Sequence, residues 1–287
     1  MENSMTDKPY RGFTKDQLEN LYNQKHRIPH YDDYPINWKR DSDRARADLE
    51  TKLDVCYGDH SLETYDVFPG GSEFPVHIFF HGGFWYSQDK ANFEFMAPAF
   101  VDKGWTFIGA NYPLCPDVTM TELVNSCRKM VLDLVSRLKT WGIDSGEINL
   151  AGHSAGAQIV AILAATQWDR YSHDQRPIIS RTLGISGIYD LQPVVYIDRN
   201  REIGLTQRDV DEFSPLSCSE NYAGDLVLAV GTHEGLEMVR QTHDFAMMQA
   251  GLGKGSQSAL IENANHFSIL DHYAEPDGLL FKLATSN

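Results

Sequence analysis

Ile148-Asn149-Leu150-Ala151-Gly152-His153-Ser154-Ala155-Gly156 passes from a short apolar strand, through a G-x-S-x-G pentapeptide, into an apolar helix expected over Ala155 to about Trp168. The pentapeptide alone says little, since a chain of this length contains it by chance about one time in ten. Its setting carries the weight. A strand, a tight turn and a helix in that order lift the serine hydroxyl out of a sheet, with the helix N-terminus pointing at it. The competing reading is an ordinary strand–helix turn with Ser154 as its N-cap.

Working outward, apolar runs recur on both sides of this unit. Val76–Phe80 (VHIFF), Thr106–Ala110 (TFIGA), Thr182–Ser186 (TLGIS), Leu226–Val230 (LVLAV) and Ser258–Ile261 (SALI) read as strands. Helical periodicity separates most of them. The clearest helix starts at a capping box, Thr119-x-x-Glu122. It carries Met120, Leu123, Cys127, Val131, Leu134, Leu138 and Trp141 on one stripe, and Gly142 closes it. Another is expected from about Leu236 to Ala250. Strands without polar alternation, joined by helices, predict an α/β protein with a mostly parallel central sheet covered on both faces. Functional residues then collect at the carboxyl ends of the strands.

Residues 1–55 differ in character. Tyr10, Tyr22, Tyr31, Tyr34 and Trp38 are scattered among charges, and a short amphipathic helix is expected from about Asp43 to Leu53 on the spacing of Ala45, Leu49 and Leu53. This segment reads as an arm on a catalytic domain of residues 56–287, and two roles stand open for it: packing alone, or also covering the site. An inter-strand insertion at about 189–222 is the second candidate for a small cap.

The 287 residues hold 25 Lys plus Arg and 40 Asp plus Glu, so the formal net charge is 25 − 40 = −15. That balance argues against a nucleic-acid partner, which needs a positive field. The longest uncharged apolar run, Ile159–Ala165, is far short of the ~20 residues that span a bilayer, so no membrane role is expected. The first residues show no apolar secretory core. Cys56, Cys115, Cys127 and Cys218 lack paired spacing and suit reduced thiols in a cytoplasmic protein.

His81-Gly82-Gly83-Phe84-Trp85 follows the VHIFF strand. Its glycines allow backbone N–H groups to approach a ligand, so the amides of Gly83 and Phe84, with that of Ala155, are the candidate oxyanion hole. His81 lies on the strand side of this turn and reads as a brace for the loop rather than the base. A serine nucleophile needs a base and an acid that orients it. His266 follows the last strand and is the candidate base; His243 falls inside a helix and His272 beyond the loop. Glu234 follows LVLAVG and is the candidate acid, ahead of Glu237 in the next helix and Asp225 at the wrong strand end. The order Ser154, Glu234, His266 fits the Ser…Asp/Glu…His order. Trp85, Tyr112 and Tyr189 follow strand ends or site loops and are candidate substrate-binding residues, each equally readable as core packing. His77 and His81 share a strand face without further metal-ligand spacing, so no metal and no cofactor are expected.

On these residues the chain resembles the α/β-hydrolase fold and, within it, the kynurenine formamidase (arylformamidase) family. His81-Gly82-Gly83-Phe84-Trp85 is similar to that family's H-G-G-x-W signature. Gly152–Gln158 resembles its nucleophile segment and Ser186–Leu191 the strand and loop that follow, while Ser214-Pro215, Gly231–Glu234 and His266-Phe267 are similar in order and spacing. The resemblance covers roughly residues 57–283. It implies a metal-free serine hydrolase that cleaves an N-formyl arylamine through an acyl-enzyme. Its partner is then a small aromatic amide or ester, and a homodimer is compatible with it. Two positions depart from the family: Glu234 stands where Asp is usual, and Asn265 where Asp precedes the His. A carboxylesterase or amidase for other small acyl groups is the alternative, and a catalytically silent binding protein a third.

Overall fold

The computed structural model describes residues 8–172, 176–217, 222 and 224–286. The expectation that the first residues hold no secretory core falls partly on residues 1–7, which lie outside them, as does Cys218. Cys56, Cys115 and Cys127 are free thiols.

Strands β1 (Lys52–Cys56), β2 (Thr64–Phe68), β3 (Val76–Phe80), β4 (Thr106–Ala110), β5 (Glu147–His153), β6 (Ile178–Ile185), β7 (Asp225–Gly231) and β8 (Ser256–Ile261) form one sheet in the order β1-β2-β4-β3-β5-β6-β7-β8. β1 and β2 run antiparallel, and every pairing from β4 to β8 is parallel. The helices are α1 (Lys15–Tyr22), α2 (Asp33–Asp48), α3 (Ala97–Asp102), α4 (Met120–Leu138), α5 (Ala155–Ala164), α6 (Asn200–Ile203), α7 (Gln207–Phe213), α8 (Leu236–Gly251), α9 (Asp271–Ala274) and α10 (Leu279–Thr285).

Strand pleating sorts neighbouring side chains onto opposite faces. Val76, Ile78 and Phe80 of β3 join one apolar cluster with α4 and α5, while Phe79 joins the other with α3, α9 and α10. Both faces of the parallel region are therefore buried, which is why its strands read as unbroken apolar runs. All ten residues of α5 are buried, so this short helix lies wholly inside the protein.

Three expectations need correction. The amphipathic helix is α2, which begins at Asp33 rather than near Asp43; Pro35 sits in its first turn, where a missing N–H costs nothing. Its buried stripe is Trp38, Ser42 and Ala45, whereas Leu53 falls in β1 and is 45% exposed. The helix after Ser154 stops at Ala164, and Trp168 opens a separate 3-10 turn. The α4 stripe ends at Leu138, with Lys139–Trp141 tightened into a 3-10 turn that Gly142 closes at φ +72°.

The described residues ahead of position 55 are tied to the rest of the fold by polar contacts as well as packing. Arg46 of α2 pairs with Glu94 and Asp66, and Lys90 reaches Asp54 and Asp66. Glu94 is fully buried, and burial pushes its carboxyl up to about 9.

Candidate active site

The carboxyl ends of β3, β5, β6, β7 and β8 bring their loops together. Ser154 follows β5 at φ +56°, ψ −116°, a conformation that only a tightly held turn sustains. Both flanking glycines are required sterically. A Cβ on Gly152 would stand 2.2 Å from the Gly156 carbonyl oxygen, and one on Gly156 2.1 Å from that of Phe80. Strand β5, the turn and β3 therefore touch backbone to backbone.

His266 reaches Ser154 from the loop after β8, with Nε2 3.1 Å from Oγ. Its Nδ1 lies 2.7 Å from Oε2 of Glu234. The other carboxylate oxygen, Oε1, accepts from the Ser186 hydroxyl at 2.5 Å and from the Gly231 amide at 2.8 Å. Glu234 is thus fixed at both oxygens, and the extra methylene relative to Asp is taken up by the turn that closes back on Gly231. Ser186, at φ +51° directly after β6, is a contributor that sequence reading missed; a lone serine behind a strand carries no distinguishing signal.

His153 lies beneath this chain of bonds. Its Nε2 donates to the His266 carbonyl at 2.7 Å, and burial beside His266 holds it well below the ordinary histidine range, hence neutral. Asn265 fixes the same loop from the other side. Its Oδ1 accepts from the amides of Phe267 and Ser268, while its Nδ2 donates to the Tyr34 hydroxyl of α2 at 3.1 Å. An aspartate could supply the first role but has no N–H for Tyr34.

The loop after β3 closes the wall. Gly83, Phe84 and Trp85 all have positive φ, at +113°, +51° and +60°. Such backbone persists only when its surroundings fix it. Here Ser87 and Tyr86 donate their amides to the Gly83 carbonyl, the Trp85 carbonyl accepts from Cys115, and the Trp85 indole donates to Gln158 at 2.9 Å. A Cβ on Gly82 would come within 3.0 Å of the Ser154 Cβ, so this loop lies directly against the serine turn. Among the described residues, no protein acceptor is taken by the amides of Gly83, Phe84 or Ala155. His81 is buried, contacts the Gly82 carbonyl and Asn111, and stacks on Tyr112 and Phe93 behind the loop.

Ser154 and His266 open into a cavity of about 110 Å³ whose aromatic wall is Tyr22, Tyr31, Trp38, Phe84, Tyr86, Phe93 and Phe267. The three aromatic residues expected from sequence are not there. Trp85 is fully buried as the anchor just described. Tyr112 is buried with its hydroxyl on the His81 carbonyl, and Tyr189 packs against Phe245 under α8. The loops that carry Trp85 and Tyr189 do reach the site, through Phe84 and Ser186, but all three side chains point inward. Tyr22, Tyr31 and Trp38 instead come from residues ahead of position 55.

The rival groups lie elsewhere. Glu237 pairs with Arg240 in α8, Asp225 with Arg181, and His243 is exposed beside Asp244. Among the described residues, no group of three or more His, Cys, Asp or Glu is placed to hold a metal ion, and no helix is long and apolar enough to cross a membrane.

The chain is 31% identical to the kynurenine formamidase of Danio rerio over 96% of both chains. It belongs to the kynurenine formamidase family. The Salmo salar kynurenine formamidase is 29% identical, again over 96% of each chain. The family model described as BD-FAE matches residues 65–201, from β2 past the Ser154 turn into the segment after β6. Among solved structures, a putative thioesterase from Silicibacter sp. TM1040 superposes with a TM-score of 0.83 at 24% identity, covering 94% of this chain and 99% of that one. An esterase from the archaeon Pyrobaculum calidifontis gives 0.72 at 13% identity over 89% and 90%. Both show the α/β-hydrolase fold, and with the family membership they make this formamidase relative a hydrolase.

Proposed function

We propose that the protein hydrolyses N-formyl arylamines, N-formyl-kynurenine being the reference substrate, with Ser154 as nucleophile, His266 as base and Glu234 as the acid that orients it. The observation that carries this reading is the unbroken hydrogen-bond chain from Ser154 Oγ through His266 to Glu234, set in a cavity walled by aromatic rings. His266 takes the proton from Ser154 Oγ as that oxygen attacks the formyl carbon. The tetrahedral oxyanion is held by the amides of Gly83, Phe84 and Ala155, each contributing about 2.7–4 kcal/mol to the transition state. The C–N bond then breaks as His266 returns the proton to the departing arylamine nitrogen. Water, deprotonated by His266, cleaves the formyl-serine ester and releases formate. Arm residues Tyr22, Tyr31 and Trp38 act in this scheme as a cap that holds the aryl ring and shields the ester from solvent.

The test compares kcat/KM on N-formyl-kynurenine and on p-nitrophenyl acetate. A formamide value above that of the intrinsically easier ester establishes a dedicated formamidase. Turnover of the ester alone leaves the serine chemistry standing and moves the substrate to another acyl group.

A further inference from the structure

The wall of the Ser154 cavity is unusual for so acidic a chain. Although Asp and Glu outnumber Lys and Arg by 40 to 25, the residues lining the cavity include Lys25 and Arg199 and no carboxylate. Each cation is held against a ring of the same wall: the Arg199 guanidinium lies 4.7 Å from the centroid of Phe84, and Lys25 Nζ 4.8 Å from that of Tyr31. Arg199 spends one donor, Nη1, on the Tyr22 carbonyl at 3.0 Å. Among the described residues, neither cation has a carboxylate partner, in a protein where many basic side chains do. A half-buried guanidinium keeps five donors in a rigid fork suited to a carboxylate. Here the fork is pre-positioned by a ring and a backbone carbonyl, with donors to spare.

We propose that Arg199, assisted by Lys25, is a carboxylate subsite at the Ser154 cavity, so that the preferred substrates are N-formyl arylamines bearing an anionic side chain. This rests on the formamidase reading above and adds to it the group that is selected. Phe84 links the two halves: its amide faces the oxyanion and its ring supports Arg199, so a ligand carboxylate held by the guanidinium fixes the aryl ring relative to the reacting carbon. The wall offers no acid to an ammonium group. Selection therefore falls on the carboxylate alone.

The experiment measures kcat/KM for N-formyl-kynurenine and for its α-carboxamide, which keeps the formyl group, the ring and the ammonium. Wild type is expected to favour the acid by about 10- to 100-fold, the range set by a charge-assisted hydrogen bond. In Arg199→Met, which retains a stem to pack on Phe84, that ratio collapses toward one, chiefly through KM. In Lys25→Gln, a change at an exposed side chain, it falls by a smaller factor. Equal rates on acid and amide in wild type overturn the subsite, as does an Arg199→Met variant that loses both substrates in parallel. If Arg199→Met does not fold, the wild-type ratio and Lys25→Gln still decide. Wild-type failure on both formamides, with ester turnover intact, is the distinct result that removes the formamidase reading itself.

Discussion

Replacing Glu234 by glutamine tests the acid–base chain at its most constrained point. Oε1 accepts from two donors, the Ser186 hydroxyl and the Gly231 amide. An amide side chain must therefore place its carbonyl oxygen there and turn its NH2 toward His266. At 2.7 Å that NH2 donates to Nδ1, which forces the imidazole proton onto Nε2. Nε2 then faces Ser154 Oγ as a donor and can no longer take its proton. The corresponding Asp→Asn change in serine proteases drops kcat by about 10⁴, or roughly 5.4 kcal/mol of transition-state stabilisation. A loss of that order is expected here, with KM little changed. All the hydrogen bonds at position 234 survive in number, so the melting temperature should stay near that of wild type. Steady-state kinetics on the preferred substrate, with ¹⁵N NMR of the His266 ring to read the tautomer, checks both halves. A glutamine variant retaining more than about a tenth of wild-type kcat would refute the reasoning, because the wrong tautomer leaves no route for the serine proton.

Other consequences can be checked separately. Ser154→Ala and Ser154→Gly should both abolish turnover, but the glycine variant should melt higher. The positive-φ turn costs a side-chain-bearing residue about 1–3 kcal/mol, against about 0.4–1 kcal/mol of added chain entropy for glycine. The reverse order of melting temperatures would show that the turn is unstrained. His77 is buried against Phe100 and the Tyr273 hydroxyl, and burial pushes it down to about 3. The unfolded chain takes up this proton below about pH 6.5 while the folded protein does not, so stability falls as pH drops, by up to about 1.4 kcal/mol per unit. His77→Phe should reduce that slope in urea titrations between about pH 6.5 and 4.5, and an unchanged slope would mean that His77 is protonated in the fold.

Local patterning made the sheet and the strand–turn–helix unit around Ser154 legible. Val76–Phe80 and Thr106–Ala110 are strands with the expected bounds because each is buried on both faces, and Thr119 caps α4 through a reciprocal box. The rest failed for identifiable reasons. The apolar period places α2 too late in the chain because its middle buried position is Ser42, which breaks that period. β1 and β2 (KLDVC and TYDVF) hide behind charges that belong to an antiparallel edge and a buried ion cluster. Ser186 has no neighbour in sequence that marks it. Trp85 illustrates a different limit: its position beside the site was readable, but its direction depends on a run of positive-φ residues that no periodicity encodes.

The described arm also sets an order of assembly. Tyr10 bonds Asp190 and Arg240, which lie 180 and 230 residues further along, Tyr22 meets Gln241 across 219, and Tyr34 meets Asn265 across 231. Contacts of such separation close late, since the loop entropy is lost before any of them forms. On the ribosome these early tyrosines emerge long before their partners, and so spend most of synthesis with their rings in water. The wall of the cavity is therefore among the last parts to be completed, because His266, Phe267 and the Asn265 partner of Tyr34 all follow β8.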